Sequence, residues 1–169
     1  MKTDTHDLAA VQTRLWDEIK TAGGTGMLGL TKSGDHYQPM TAFVERDTNE
    51  VWFFTRKDTD LVRELGDAGS AMFVFQADQL QASIGGELSI AFDRGRMDKY
   101  WNPVVAAWYP GGKDDPQLTM LCMECVDAEI WISDDGPVKF AWEIAKANAT
   151  HTTPDTGGKA HVEFQHGRT

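Results

Sequence analysis

Short runs of β-branched and aromatic residues, separated by turn signals, constrain this chain more than any other feature. Such residues are typical of strands, and turn residues such as those of Lys32-Ser33-Gly34-Asp35 join most of the runs. Six or seven strands in one small domain predict an antiparallel barrel or sandwich. The strands are predicted at residues 26–31, 37–45, 51–55, 71–76, 81–92, 118–126 and 128–133.

Two positions within these runs predict irregular strands. Pro39 has no backbone N–H to donate to a sheet, so its strand is expected at an edge, at a bulge or beside a ligand. Gly85-Gly86 lies inside the longest run, where paired glycines indicate a bulge or a close backbone approach.

Helices are predicted in four places. Residues 4–22 carry apolar side chains at spacings of three and four, which puts them on one helix face: Leu8, Val11, Leu15 and Ile19. The other helices are predicted over residues 59–65, 94–110 and 138–147. We predict one domain over residues 1–150 and a flexible tail over residues 151–169, which is rich in Thr, Gly and His.

The charge of the chain excludes some classes of partner. A net charge of −10 argues against nucleic acid and against an anionic membrane surface, since both need a positive field. No apolar run is long enough to span a bilayer. The first residues are polar and acidic, unlike a signal peptide, so a cytoplasmic location is expected.

Residues 52–62 predict a strand that runs directly into a helix. Thr55 and Thr59 offer hydroxyl groups and Arg56 and Lys57 offer charge beside a helix start, a combination that suits a phosphate. An ordinary strand–turn–helix with capping threonines and a solvated basic pair explains the same residues. On spacing alone, that structural interpretation is the favoured one.

The segment also resembles the flavin-phosphate-binding segment of the FMN-binding split-barrel superfamily, and three further motifs agree with the resemblance. Gln38-Pro39-Met40 stands where the family shows Arg-Pro-Met, and residues 81–88 match a strand with a central glycine. Trp101-Asn102-Pro103 and Ala107-Trp108-Tyr109-Pro110, followed by Gly112 and Asp114-Asp115-Pro116, are similar to a signature of one branch. The chain thereby resembles, over residues 8–133, the general stress protein 26-like branch of the pyridoxamine 5'-phosphate oxidase-like superfamily.

The resemblance implies a mainly β fold with flanking helices, a six-stranded antiparallel split barrel. It implies a two-fold homodimer that holds FMN in a groove shared by both chains, and a flavin-dependent oxidoreductase-like function. Trp101 and Trp108 would cover the flavin from the partner chain. The cofactor-binding residues that it implies are Pro39, Met40, Phe53, Phe54, Thr55, Arg56, Lys57, Thr59, Gln81, Trp101 and Trp108.

Two departures from the family pattern affect the expected affinity for FMN. Gln38 and Leu61 stand where the family has cations that face the phosphate. Losing two charged hydrogen bonds costs about 3–6 kcal/mol, roughly a hundred- to ten-thousand-fold in affinity. The alternatives that follow are a non-catalytic split-barrel dimer whose degenerate pocket binds FMN or FAD weakly, and a split barrel whose pocket has changed its ligand to deazaflavin or haem.

Other candidate chemistry is weak in this sequence. Cys122 and Cys125 form a lone C-x-x-C, which indicates a redox or metal pair less strongly than two small strand residues on opposite faces. The five histidines are scattered, so no metal site is predicted. No catalytic acid–base or nucleophile set is predicted, and the pyridoxal-phosphate pattern of true pyridoxamine-phosphate oxidases is not recognisable.

Overall fold

A computed structural model describes residues 3–133, 137–154 and 157–166, and an antiparallel sheet of eight strands dominates them. The strand order is β2-β1-β5-β6-β7-β4-β3, and β8 pairs with β7. The strands are β1 (Thr25–Leu30), β2 (Gln38–Thr41), β3 (Phe43–Glu45), β4 (Glu50–Arg56), β5 (Ala68–Gln76), β6 (Leu80–Ile90), β7 (Leu118–Ile132) and β8 (Gly158–Glu163).

The order of the strands closes the sheet on itself. Strands β2 and β3 stand at the two ends of this strand order, yet only Ala42 separates them in the chain. The two edges of the sheet must therefore lie side by side, and the sheet curls into a half-barrel. The predicted mainly β split barrel with flanking helices is confirmed, but with eight strands rather than six.

Three predicted strands have different limits in the structure. The prediction of one strand over residues 37–45 is wrong, because the chain leaves β2 at Ala42, whose N–H donates to the Gly24 carbonyl, and pairs again as β3 with β4. The strands predicted over residues 118–126 and 128–133 are one strand, β7. Pro39 does lie in an edge strand, since among the described residues β2 pairs only with β1.

A bulge at Gly85 and Gly86 confirms the irregularity expected there. Gly86 lies opposite Cys125 and Gly85 opposite Asp127, so Val126 is the extra residue of β7. A Cβ atom on Gly86 would lie 2.4 Å from the carbonyl oxygen of Glu124, an approach that only glycine permits. The other neighbour of β7 changes from β4 to β8 at this place.

The interior of the half-barrel, here called the barrel core, is closed by α1 (Leu8–Thr21). Val11, Leu15 and Ile19 are buried there as predicted, whereas Leu8 is exposed. The other helices are α2 (Asp60–Leu65), α3 (Arg94–Tyr100), α4 (Pro103–Ala106) and α5 (Pro137–Thr150). No helix among the described residues has the length and apolar character needed to cross a membrane.

The single helix predicted over residues 94–110 is wrong. Helix α3 ends at Tyr100, Asn102 caps α4 by accepting a hydrogen bond from the Val105 N–H, and Pro103 occupies the first helical position. Proline disfavours a helical conformation in the residue before it, which explains the break. The helices α3 and α4 pack on the outer face of β4 and β7 through a second apolar group, here called the outer cluster: Trp52, Met97, Val105, Tyr109, Leu118, Met120 and Cys122.

The expected flexible tail is instead part of the fold over residues 157–166. Strand β8 pairs with β7, and Phe164 stacks on Trp16 of α1 with ring centroids 5.1 Å apart. The buried Asn49 fastens this segment, because its amide donates to the Gln165 carbonyl and accepts from Gln12. Residues 155, 156 and 167–169 of the predicted tail lie outside the described residues.

Candidate functional site

A groove of about 430 Å³ lies where the two edges of the sheet meet. Strand β2 forms one wall, and the end of β4 with the turn before α2 forms the other. Residues 102–109, here called the roof, close the top. This volume is in the range of small-molecule sites. The lining residues are Thr25, Gln38, Pro39, Met40, Thr41, Phe43, Phe54, Thr55, Arg56, Thr59, Asn102, Val104, Val105, Trp108 and Tyr109.

The roof and the β4 wall make much of the groove aromatic. Trp108 lies at the rim of the groove and is 73% exposed. Phe54 lies edge-on to Trp101, with ring centroids 5.8 Å apart. Burial raises the pKa of Tyr109 to about 12, so its hydroxyl stays protonated and able to donate a hydrogen bond. Flat aromatic ligands fit such walls.

The opposite end of the groove is polar. Thr55 is buried on β4 and lines the groove with Arg56. The Thr59 hydroxyl donates to the Arg56 carbonyl and accepts from the Val62 N–H, so it caps α2. Arg56 Nε and Nη2 each donate to an Asp58 carboxylate oxygen at 3.1 Å. The turn therefore presents hydroxyl and guanidinium groups to the groove. Some of their hydrogen-bonding capacity is already used within the turn, by Asp58 and by backbone groups.

The structure brings together most of the site residues that the sequence analysis named. Those that line the groove share the β2 wall, the β4 end and the roof: Pro39, Met40, Phe54, Thr55, Arg56, Thr59 and Trp108. Trp108 lines the groove of its own chain, although the resemblance assigned it to the partner's site.

Four named residues do not line this groove. Phe53 alternates with Phe54 along β4 and points into the barrel core, where it packs edge-on against Phe73. Trp101 lies behind Phe54, packed against the outer cluster. Lys57 is exposed outside the lining, and the Gln81 amide donates to the Ala77 carbonyl at the start of β6.

Several lining residues were not among the predicted site residues. Thr25, Thr41 and Phe43 enter because β1, β2 and β3 meet at the groove. Asn102 and Tyr109 belong to the tryptophan-containing motifs that carried the resemblance, so their signal was present in the sequence. Val104 and Val105 could have been found from Pro103, which predicts a helix start directly between those motifs.

The two departures from the family pattern lie close together. Gln38 lines the groove, and it also borders a small adjacent cavity that Leu61 and Glu64 line. The Leu61 side chain is 4% exposed and belongs to the barrel core. Position 61 is thus used for packing in this chain, and it contributes no polar group to the groove.

An ionic network fastens the roof to the barrel. Glu45 of β3 accepts hydrogen bonds from the Tyr100 hydroxyl at 2.5 Å and from Lys99 Nζ at 3.2 Å. Arg96 lies 3.5 Å from the same carboxylate and stacks over Trp52 at 4.6 Å from the ring centroid. All three partners are on α3, which leads directly into the roof. Glu45 therefore helps to position the groove's upper wall.

The two cysteines offer no obvious redox pair. Cys122 belongs to the outer cluster and Cys125 to the barrel core, so they face opposite sides of β7 as predicted. Burial raises the pKa of both thiols, and the Glu50 carboxylate raises it further. Within the described ranges no group of three metal-ligating side chains is arranged to hold a metal ion.

Comparison with known proteins gives one family match. The family model described as pyridoxamine 5'-phosphate oxidase like matches residues 11–155. Among curated proteins, none matches the chain significantly.

Solved structures show the same likeness. A protein assigned as general stress protein 26 from Jannaschia sp. CCS1 is 35% identical, with 92% of this chain and 99% of that chain covered and a TM-score of 0.78. The general stress FMN/FAD binding protein of Xanthomonas citri is 39% identical, with 76% and 92% covered and a TM-score of 0.69. An FMN binding protein related to pyridoxamine 5'-phosphate oxidase from Nostoc punctiforme, 9% identical with 94% and 97% covered, shares the fold at a TM-score of 0.55.

Proposed function

Because this chain belongs to the pyridoxamine 5'-phosphate oxidase-like family, we propose that it is a flavin-binding protein that takes FMN in the groove between β2 and β4. One observation carries the proposal. A single groove collects residues from three separate motifs, namely Pro39 on β2, Thr55 on β4 and Trp108 in the roof. The FMN/FAD binding of the Xanthomonas citri relative supports the same ligand class.

The donor and apolar groups of the groove fit the two ends of FMN. Phe54, Trp108 and Tyr109 offer apolar and aromatic surface to the ring system. Thr55 and Arg56 offer a hydroxyl and a guanidinium group to the phosphate at the other end. The fit is incomplete at position 61, where Leu61 is directed into the barrel core.

A bound flavin supplies hydride and electron transfer through its ring. The chain's own part is to hold the ring between the β2 wall and the roof and to exclude water with Val104 and Trp108. The proposal also includes an oxidoreductase activity with a nicotinamide or a small oxidant as electron partner. It further includes a role in stress response and a cytoplasmic location.

A homodimer is a further part of the proposal. Helix α5 leaves large apolar side chains in solvent, with Val138 84% and Trp142 66% exposed, and Phe140 lies between them in the sequence. Apolar patches of this kind mark interaction surfaces. We expect a second copy of the chain to cover α5. Sedimentation should give a dimer, and the double variant F140A/W142A should sediment more slowly.

Binding is tested with purified protein. We expect either the visible absorbance of a co-purified flavin or a higher melting temperature on addition of FMN. Ligand at about a hundred times its dissociation constant adds roughly 2.7 kcal/mol to the free energy of unfolding. A colourless protein whose melting temperature does not respond to millimolar FMN or FAD would contradict the proposal.

A second candidate is a non-catalytic split-barrel dimer whose pocket no longer binds FMN strongly. The pairing of Arg56 with Asp58 favours it, because Arg56 is the only charged side chain among the described residues that line the groove, and it already has an anionic partner. Titration with FMN, FAD, deazaflavin and haem separates the candidates. A response to deazaflavin or haem alone would indicate a changed ligand.

A further inference from the structure

The described part of the chain brings one charged side chain, Arg56, to the groove, and that side chain already has a partner. Arg56 donates to both oxygens of Asp58, from Nε to Oδ1 and from Nη2 to Oδ2. This bidentate geometry is the one that a guanidinium also uses toward phosphate. A phosphate that takes the same Nε–Nη2 edge of Arg56 from the groove would have to displace the Asp58 carboxylate, and one that binds through Nη1 would lie beside that negative charge.

The Arg56–Asp58 pair is exposed enough to exchange partners. The Arg56 and Asp58 side chains are 44% and 54% exposed, and water screens ion pairs of that kind, so the two side chains can separate readily. The hydrogen bond from Arg56 lowers the pKa of Asp58, so Asp58 is ionised at neutral pH. An ionised carboxylate on the same turn also repels an incoming phosphate dianion.

The Asp115 carboxylate also attracts the Arg56 guanidinium, but it makes no hydrogen bond to it among the described contacts. Asp115 accepts hydrogen bonds from the Gly111 and Gln117 N–H groups, which holds its carboxylate in the loop before β7. Arg63 donates from Nη1 to the backbone carbonyl of Asp58, not to its side chain, and pairs with Asp60. Asp58 is therefore the acidic side chain whose replacement would release Arg56 with little other disturbance.

We propose that Asp58 sets how strongly the groove distinguishes a phosphorylated from an unphosphorylated flavin, because it competes with the ligand's phosphate for the Arg56 guanidinium. This inference rests on the proposed flavin binding. It assigns the chain a smaller preference for FMN over riboflavin than an unpaired Arg56 would give, since Arg56, the charged side chain among the described residues that line the groove, already has an anionic partner.

The test compares the dissociation constants of FMN and riboflavin in wild-type protein and in D58N, measured by quenching of flavin fluorescence. Asparagine keeps the size of the side chain and removes its charge. We expect FMN to bind about three- to tenfold more tightly to D58N, which is the scale of an exposed ion pair. Riboflavin affinity should not change, and inorganic phosphate should compete better with FMN in D58N.

D60N is the matched control. This variant also removes one negative charge, two residues after Asp58. The ion-pair partner of Asp60 is Arg63, which does not line the groove. An equal gain in D60N would show a general charge effect and overturn the inference. So would an undiminished gain of D58N in an R56Q background, because the proposed effect acts through Arg56.

The outcomes separate this inference from the proposed function. If wild type binds both flavins and D58N leaves their ratio unchanged, the inference is wrong while flavin binding stands. If neither flavin binds to wild type or to D58N, the proposed function is wrong and the inference falls with it.

Discussion

The two faces of β4 show how one strand serves two purposes. Phe53 points into the barrel core, where it is fully buried against Phe73, while Phe54 points to the outer face and lines the groove. The barrel core is closed by the chain itself. The outer face carries aromatic side chains that end at an open groove. Side chains on the barrel-core face of β4 stabilise the fold, whereas those on its outer face leave apolar surface that a ligand can contact.

The largest expected effect is a difference in unfolding free energy between variants on the two faces of β4. F53A should lower the free energy of unfolding by about 3–5 kcal/mol, because it leaves a cavity in the closed core. F54A, the neighbouring control, should cost clearly less, since Phe54 is only partly buried. Urea denaturation measures both. Equal losses in the two variants would mean that the faces do not differ as described.

The next effect tests whether the polar end of the groove binds the phosphate of FMN. T55V keeps the shape of a buried residue and removes its hydroxyl group. FMN should bind roughly ten- to a hundredfold more weakly, since a hydrogen bond to a charged group contributes about 1.5–3 kcal/mol. Riboflavin, which lacks the phosphate, should bind as before. T41V on the β2 wall serves as control, and a similar loss there would argue against a phosphate at Thr55.

A smaller effect is expected at the rim of the groove. W108A should weaken the binding of FMN and riboflavin alike by about three- to tenfold, which corresponds to roughly 1 kcal/mol of aromatic contact. Its melting temperature should change little because Trp108 is mostly exposed. W131A removes an exposed tryptophan of β7 outside the groove lining and should leave flavin affinity unchanged. Flavin titration by calorimetry distinguishes the two variants.

The smallest effect concerns the pH dependence of the outer face. Burial alone would raise the pKa of Glu45, but the hydrogen bonds from Tyr100 and Lys99 and the charges of Lys99 and Arg96 lower it overall. The stability from these contacts is therefore fully present above the ordinary pKa of 4.5 and lost as pH falls through the lower, folded value.

We expect E45Q to destabilise the protein by less than about 1 kcal/mol at neutral pH, the scale of a partly exposed ionic contact. The difference from wild type should shrink below the ordinary Glu45 pKa, whereas the F53A loss should persist. Urea denaturation at a series of pH values tests this, and an E45Q difference that grows in acid would contradict it.

The sequence predicted most of the strands because alternation and turn chemistry are local, whereas the groove-forming motifs came from the family resemblance. It placed Phe53 and Phe54 together at the site, although alternation along a strand sends only one of them to each face. The break at Asn102 was missed although Pro103 disfavours a helical conformation in the residue before it and therefore signals a new helix start. Strand β8 was missed because its pairing with β7 is a long-range contact of a segment rich in Thr, Gly and His.

The charges of the site were the least predictable part. Arg56 and Lys57 looked equivalent in sequence, but only Arg56 lines the groove, and its pairing with Asp58 depends on the geometry of the turn. Leu61 was expected to weaken phosphate binding by lacking a charge. Its packing in the barrel core shows that the position has a structural use in this chain.

A crystal structure of the protein grown with FMN tests the central proposal most directly. We expect the ring system between β2 and the roof, with the phosphate within hydrogen-bond distance of the Thr55 hydroxyl and the Arg56 guanidinium. A flavin bound elsewhere, or one whose phosphate points toward Trp108 and away from Thr55, would contradict it.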